Sequence, residues 1–150
     1  MSNVDFLIKN VSLPDGKVAD IGITDGVISS IGKDSKDQAT NSIDGSGCVA
    51  LPGLVDLHTH LREPGREDAE TVLSGSRAGV KGGFTAVSAM ANTSPVADTA
   101  GVVEQVYRLG QEAGLLDVFP IGAVTQGLKG EALSEIGAMA DSVARVRVFS

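Results

Sequence analysis

The sequence predicts an α/β fold in which a small unit of β-strands precedes the first part of a (β/α)8 TIM-type barrel. Residues 1–51 are short apolar runs separated by turn residues, whereas residues 52–150 alternate apolar runs with segments of helical period. Alternating strands and helices predict a parallel sheet with helices packed against it. Because a (β/α)8 barrel takes about 250 residues, this 150-residue chain is expected to hold only the first three βα units and the start of strand 4.

The first unit is predicted to be a small antiparallel arrangement of strands. Asp25 and Gly26 lie between two apolar runs and indicate a hairpin, because glycine supplies the positive φ that a tight turn needs. The polar stretch Lys33–Ser42 predicts an exposed loop. The predicted strands of this unit are Val4–Val11, Val18–Ile23, Val27–Ile31 and Ile43–Ala50.

The second unit begins after the turn at residues 51–53 and is predicted to repeat strand and helix. Gly82 and Gly114 are expected to end the first two helices, since glycine is the common residue just beyond a helix. One face of the second helix is expected to pack in the core; it carries Val102, Val106, Leu109 and Ala113. The predicted elements are strand Leu54–Leu61, helix Ala69–Lys81, strand Phe84–Met90, helix Thr99–Ala113, strand Val118–Val124, helix Glu131–Ala140 and strand Val143–Phe149.

A doubly wound sheet is the alternative α/β fold, and it would suit the length of the chain better. Nucleotide-binding proteins of that class usually carry a glycine-rich phosphate loop between the first strand and the first helix. The sequence contains neither a G-x-G-x-x-G nor a Walker motif. The barrel therefore remains the favoured prediction.

Composition excludes several classes of function. With 42% hydrophobic residues, 21% charged residues and a formal net charge of -7, the chain is typical of a globular protein and is not expected to bind nucleic acid. The single cysteine, Cys48, excludes an internal disulfide and a multi-cysteine metal site. No signal peptide is indicated at the start and no stretch reaches the roughly 20 apolar residues of a membrane span. A cytoplasmic protein without a membrane partner is expected.

The only two histidines of the chain, His58 and His60, lie at the end of an apolar strand. Side chains alternate along a strand, so both imidazoles, with Asp56 and Arg62, are expected on one face. Two imidazoles converging where a parallel barrel carries its active site predict a metal site, with zinc the default for nitrogen ligands. The alternative is a coincidental pair of polar side chains at a strand end.

The predicted metal site is incomplete within this chain. Zinc takes three or four protein ligands, and no third histidine is present. The missing ligands would come from strands that the chain does not contain. Asp56 could hydrogen-bond to a metal-binding histidine and orient it, or it could accept hydrogen bonds from backbone amides at the loop; both interpretations remain open.

Several segments resemble the dihydroorotase family of the amidohydrolase superfamily. Residues 52–65, Pro-Gly-Leu-Val-Asp-Leu-His-Thr-His-Leu-Arg-Glu-Pro-Gly, resemble its first metal motif. Residues 82–87 and 90–96 resemble its second-strand motif and the loop that follows, except that Ala91 replaces the usual proline, which should loosen the loop slightly. Residues 120–125 also match, and Phe149-Ser150 resembles the opening of a Phe-Ser-Asp-Asp-Gly motif.

The resemblance implies a function and a set of site residues. His58 and His60 would bind Zn²⁺, with two ions in a complete site, while His60, Arg62 and Asn92 would contact an anionic cyclic amide substrate. The implied reaction is reversible hydrolysis of (S)-dihydroorotate to N-carbamoyl-L-aspartate in pyrimidine biosynthesis. The family's general acid/base lies on a late strand, so no catalytic acid/base is assigned here, and the isolated chain is expected to be inactive.

The resemblance also implies a domain organisation, in which residues 1–51 are the N-terminal part of a small β-sandwich and residues 52–150 the truncated first part of the barrel. The alternatives are an allantoinase or hydantoinase, a non-catalytic dihydroorotase-like scaffold, or an engineered or truncated piece of such an enzyme. A scaffold is expected to lose its metal ligands, whereas both histidines remain. A homo-oligomer or a partner enzyme of the same pathway is left open.

Overall fold

The computed structural model describes residues 3–33, 35 and 38–150. The chain divides into two compact units, residues 1–52 and residues 53–150. Unit 1 holds a four-stranded sheet and unit 2 a three-stranded sheet with helices. Within the described residues, no helix has the length and apolar character needed to cross a membrane.

Unit 1 is a mixed sheet of four strands in the order β3-β2-β1-β4. The predicted hairpin is confirmed, because β2 and β3 pair antiparallel through a turn in which Asp25 and Gly26 have φ of 52° and 73°. β1 pairs antiparallel with β2 and parallel with β4. The strands are β1 (Asn3–Ser12), β2 (Val18–Thr24), β3 (Val27–Gly32) and β4 (Gln38–Asp44).

The fourth strand of unit 1 corrects the sequence-based prediction. A strand was expected at Ile43–Ala50 after an exposed loop at Lys33–Ser42, but β4 occupies residues 38–44, and Val49 forms only an isolated bridge with Ser12. β4 is a polar, largely exposed edge strand, so it lacks the apolar alternation by which strands are recognised. Residues 34, 36 and 37 of the predicted loop lie outside the described residues.

Unit 2 is built from alternating strands and helices, and its three strands pair in parallel in the order β5-β6-β7. This confirms the predicted parallel βαβ arrangement. A short 3-10 turn at Gln126–Leu128 precedes the last helix. The elements are β5 (Leu54–Thr59), α1 (Val72–Lys81), β6 (Phe84–Ala89), α2 (Ala100–Ala113), β7 (Asp117–Pro120) and α3 (Ile136–Asp141).

Helix α1 begins three residues later than predicted, because a capping box sets its start. The Thr71 hydroxyl accepts the backbone N–H of Ser74, and the Ser74 hydroxyl accepts that of Thr71, both at 3.0 Å. The helix ends at Lys81, as predicted, and Gly82 caps it. Helix α2 ends at Gly114, which adopts a left-handed φ of 61°.

The core of unit 2 lies between the sheet and its helices. Helix α2 buries a line of residues that differs from the predicted face: Val103, Val106 and Gly110 are buried, whereas Val102 and Leu109 are only partly buried. Two clusters result. One contains Leu61, Val72, Val87, Ala89, Val106, Leu116 and Val118, and the other contains Ala91, Ala97, Val103, Ala123, Met139, Ala144 and Val146.

The end of unit 2 departs from the prediction in two elements. Helix α3 covers residues 136–141, so it begins five residues later than predicted, and no strand forms at Val143–Phe149. Ala144 and Val146 are buried between exposed neighbours, so the burial pattern imitates a strand, but Arg145 turns the backbone to a left-handed φ of 46°. Only residues 148–150 run beside residues 122–124, with one parallel bridge from Gly122 to Phe149.

Close packing of α2 on β7 requires Gly110. A Cβ at this position would lie 2.6 Å from Cβ of Val118, so Gly110→Ala should lower the free energy of unfolding by about 1–3 kcal/mol. Gly101, on the same helix, faces open space, and Gly101→Ala should leave stability unchanged or raise it by up to about 1 kcal/mol. Urea unfolding of the two variants distinguishes packing from helix propensity; equal effects would contradict the predicted contact.

Candidate active site

His58 and His60 form a pair of neighbouring imidazoles at the carboxyl end of β5. Their ring centroids are 5.1 Å apart and the rings meet edge to face at 64°. β5 ends at Thr59, so His58 belongs to the strand and His60 to the loop that follows. The His58 residue is exposed and His60 is partly exposed, which leaves both rings accessible to a ligand.

Asp56 lies two residues before His58, at a point where the regular pairing of β5 is interrupted. The pairing of β5 with β6 shifts after Asp56. Asp56 pairs with Val87 and Thr59 with Ala89, so β5 has one residue more than β6 between these pairs, as in a β-bulge. Asp56 lines a cavity of 260 Å³ beside α1, together with Thr59 and Leu61, which follow it in the sequence.

The carboxylate of Asp56 accepts a hydrogen bond from the nearby backbone. Its Oδ1 accepts the backbone N–H of His58 at 2.9 Å. This bond lowers the pKa of Asp56 from its ordinary value. The structure thus favours the interpretation in which Asp56 accepts a backbone amide.

Asn92 lies beside His60, although 32 positions separate them in the sequence. The ends of β5 and β6 are joined because the Met90 backbone N–H donates to the Thr59 carbonyl at 2.9 Å. The loop after β6 then places Oδ1 of Asn92 2.8 Å from Nδ1 of His60. The structure therefore brings together His58, His60 and Asn92.

Ala91, which replaces the usual proline, is buried within the core. Only 2% of it is exposed, and its carbonyl accepts the backbone N–H of Ala97 at 2.9 Å. Packing and a hydrogen bond thus hold the residue directly before Asn92.

Arg62 follows the imidazole pair with a left-handed backbone, φ 64°, and an exposed side chain. An ion pair with Glu63 or Glu67 would have been its ordinary surface role. Among the ion pairs between described residues, none includes Arg62. Its guanidinium is therefore available to an anionic ligand.

Glu63 links the loop after β5 to helix α1. Its Oε2 accepts the backbone N–H of Val72, the first residue of the helix, at 2.7 Å. A carboxylate at this position satisfies an N–H that the helix leaves unpaired and interacts favourably with the helix dipole. Sequence reasoning missed this role, because Glu63 lies nine positions before the amide and outside every local capping pattern.

Gly65, in the loop that carries Arg62, lies against Ser94 in the loop that carries Asn92. It has φ 101°, and a Cβ on it would overlap the backbone of Ser94. The Ser94 backbone N–H donates to the Pro64 carbonyl at 2.9 Å. Glu67 accepts the N–H of Gly65, which lowers the pKa of Glu67. The sequence shows a glycine here, which could have indicated a backbone with positive φ, but it does not indicate the contact with Ser94.

Removal of the Glu63 carboxylate should loosen the start of α1. Glu63→Ala is expected to lower the free energy of unfolding by about 1–2 kcal/mol, because the Val72 N–H loses a charged acceptor. Glu63→Gln keeps an acceptor oxygen and should cost about half as much. Urea unfolding measures both, with exposed Glu112 changed to Ala as the control. A loss no larger than that of the control would refute the linking role.

The donors at this site fit part of a zinc shell. The two accessible imidazoles are ligands that zinc prefers, but a complete site needs three or four protein ligands. In the described part of the chain, no group of three or more His, Cys, Asp or Glu side chains is arranged to hold a metal ion. The residues present therefore fit one portion of a metal centre.

Comparison with known proteins identifies the family. The profile of the dihydro-orotase-like family matches residues 47–148. The chain is 60% identical over 150 residues, all of its length, to a dihydroorotase of Leifsonia xyli subsp. xyli. It is 58% identical over 144 residues, 96% of its length, to a dihydroorotase of Streptomyces coelicolor. It spans about a third of each relative, 34% in both cases.

A solved structure has a similar fold. The L-hydantoinase (dihydropyrimidinase) from Arthrobacter aurescens superposes with a TM-score of 0.69 at 27% identity, over 81% of this chain and 28% of that protein. The family match covers most of the sequence, includes both histidines and extends across unit 2. The chain therefore belongs to the dihydro-orotase-like family.

Proposed function

We propose that the chain is part of a dihydroorotase, which hydrolyses the cyclic amide of (S)-dihydroorotate to N-carbamoyl-L-aspartate, reversibly, in pyrimidine biosynthesis. The observation that carries the proposal is the 60% identity to a dihydroorotase over every residue of the chain. The grouping of His58, His60 and Asn92 supports it, because a metal ligand and a candidate substrate residue lie side by side.

In this proposal, His58 and His60 hold Zn²⁺, with two ions in the complete site. Zinc, when bound, would activate water for attack at neutral pH and polarise the amide carbonyl. The 5.1 Å separation of the ring centroids, with both rings open to solvent, suits convergence on one ion. Asp56 contributes by holding the His58 backbone, since its carboxylate accepts that N–H.

Arg62 and Asn92 are proposed to bind the substrate carboxylate, and His60 contacts the substrate as well as the metal. A guanidinium can pair with a carboxylate through two parallel hydrogen bonds, which orients the ring as well as attracting it. Support comes from the exposed Arg62 side chain, which forms no ion pair with another described residue. The Asn92 amide would donate the remaining hydrogen bond.

The rest of the site is proposed to lie in sequence beyond this chain. The relatives are about three times as long, because the chain spans 34% of each. Unit 1 would be the N-terminal part of a small β-sandwich, and unit 2 the first three βα units of a (β/α)8 barrel. The remaining strands would supply the other metal ligands and the general acid/base, so the 150-residue chain alone should be inactive.

A hydantoinase-type cyclic amidohydrolase is the second candidate. The similarity of fold to the L-hydantoinase favours it, at a TM-score of 0.69. Its sequence identity of 27%, however, is less than half of the 60% shared with the dihydroorotase. Hydantoins and dihydroorotate are both cyclic amides, so substrate preference separates the two candidates.

The test compares the 150-residue chain with the full-length protein, extended beyond Ser150 to the length of its relatives. Zinc content and the rates of hydrolysis of dihydroorotate and hydantoin are measured for both. We expect a full-length protein that contains zinc and hydrolyses dihydroorotate, and an inactive short chain. A full-length protein active only on hydantoin would transfer the assignment to the second candidate. Turnover by the short chain, lost in His58→Ala, would refute an incomplete site.

A further inference from the structure

We propose that Asn92 is a positioning residue for the metal ligand His60: its carbonyl oxygen holds the imidazole with Nδ1 protonated and leaves Nε2 as the metal-binding nitrogen. The inference rests on the proposed function, because it assigns the metal site to His60. It adds a task to Asn92 beyond contact with substrate. The observation behind it is the 2.8 Å separation of His60 Nδ1 and Asn92 Oδ1.

The chemistry of this contact determines which nitrogen carries hydrogen. An amide oxygen only accepts hydrogen bonds, so the His60 ring must donate from Nδ1. A neutral imidazole carries hydrogen on one nitrogen, and the lone pair then lies on Nε2. Metal-binding histidines are commonly held in this way by an acceptor on the second nitrogen, which fixes the orientation of the ring and raises its basicity.

The loop that presents Asn92 is restrained on both sides of the amide. Ala91 before it is buried, and its carbonyl is hydrogen-bonded to Ala97. After it, the Thr93 hydroxyl donates to the Pro95 carbonyl at 2.7 Å, and the Ser94 backbone N–H donates to the preceding loop. A restrained acceptor orients its partner better than a free one, because less conformational entropy is lost when the bond forms.

One amide can serve both His60 and substrate. With Oδ1 engaged by the imidazole, the Nδ2 group keeps two hydrogens that can donate to a carboxylate. The two tasks use different atoms, so substitutions can separate them. Asn92→Asp keeps an acceptor for His60 but places a negative charge where an anionic substrate would bind. Asn92→Ala removes both.

The first measurement determines the hydrogen position directly. The full-length protein is labelled with ¹⁵N-histidine and stripped of metal, and His60→Gln identifies the His60 signals by their loss. Long-range ¹H–¹⁵N spectra then show which nitrogen is protonated. We expect hydrogen on Nδ1 of His60 in the wild type and in Asn92→Asp, and loss of this preference in Asn92→Ala. Hydrogen on Nε2 in the wild type would overturn the proposal.

The second measurement is zinc affinity, determined by competition with a chromophoric chelator. Asn92→Ala should weaken binding about 10- to 100-fold, whereas Asn92→Asp should stay within about threefold of the wild type. Thr93→Ala removes a hydrogen bond that restrains the loop but keeps the His60 contact, so it should weaken zinc binding less than Asn92→Ala does. An equal loss in Thr93→Ala would assign the effect to the loop and refute positioning, as would an unchanged affinity in Asn92→Ala.

Hydrolysis by the same variants separates this inference from the proposed function. If the wild type hydrolyses dihydroorotate, Asn92→Asp should raise KM while it retains zinc. If the wild type turns over normally but Asn92→Ala and Asn92→Asp do not differ in zinc affinity as expected, the positioning role is refuted and the proposed function is kept. The zinc pattern in a protein inert to dihydroorotate would keep the positioning role and refute the function.

Discussion

His58→Ala in the full-length protein is expected to lower kcat for dihydroorotate by about 1000-fold or more and to reduce the bound zinc. The reason is the loss of one of the two imidazoles that lie 5.1 Å apart. Metal-ion catalysis contributes several kcal/mol to the stabilisation of a transition state, and every 1.36 kcal/mol is a factor of about ten in rate. Steady-state kinetics and elemental analysis of purified protein measure the two effects.

Two further variants decide whether this loss reflects the metal. His58→Gln keeps much of the side-chain volume but lacks the imidazole, so it should lose activity like His58→Ala. Gln105→Ala, at an exposed position on α2, should retain full activity. Circular dichroism confirms that each variant is folded. A His58→Ala enzyme with normal zinc content and turnover would remove His58 from the metal site.

Much of the fold could be predicted because local patterns determine it. The structure confirms the turn at Asp25 and Gly26, the helix end at Lys81 and the alternation of strands and helices in unit 2. β4 was misplaced because an exposed edge strand needs no apolar residues; its backbone pairs with β1 whatever its side chains. No strand forms at Val143–Phe149, although one was expected. The alternating burial there is typical of a strand, but the left-handed backbone of Arg145 interrupts it.

The candidate site, like the fold, could be predicted only where local sequence determines it. The pair His58 and His60 was visible in the sequence, and its closeness follows from a two-residue spacing. The register shift between Asp56 and Thr59 was not predicted, because no local sequence pattern indicates such a bulge. The contact between His60 and Asn92 spans 32 positions and depends on the pairing of β5 with β6. Their metal and substrate roles stay predictions.

Gly65→Ala is expected to disturb the loops after β5 and β6, which carry Arg62 and Asn92. The residue has φ 101°, and the new Cβ would overlap the Ser94 backbone, which cannot rotate away as a side chain would. Backbone strain and overpacking together should lower the free energy of unfolding by about 2–4 kcal/mol. If the loops separate instead, Arg62 and Asn92 move apart, and KM for dihydroorotate should rise at least about tenfold.

Gly83→Ala is the matched control for this substitution. Gly83 also has a left-handed φ, 86°, but a Cβ there would meet nothing within 4 Å. Gly83→Ala should therefore show only the backbone cost, about 1–2 kcal/mol in urea unfolding, with KM unchanged. The difference between the two variants measures the contact of Gly65 with Ser94. If Gly65→Ala matched Gly83→Ala in both stability and KM, the loops would be free to separate without affecting substrate binding, and the arrangement of Arg62 and Asn92 would not depend on their close approach.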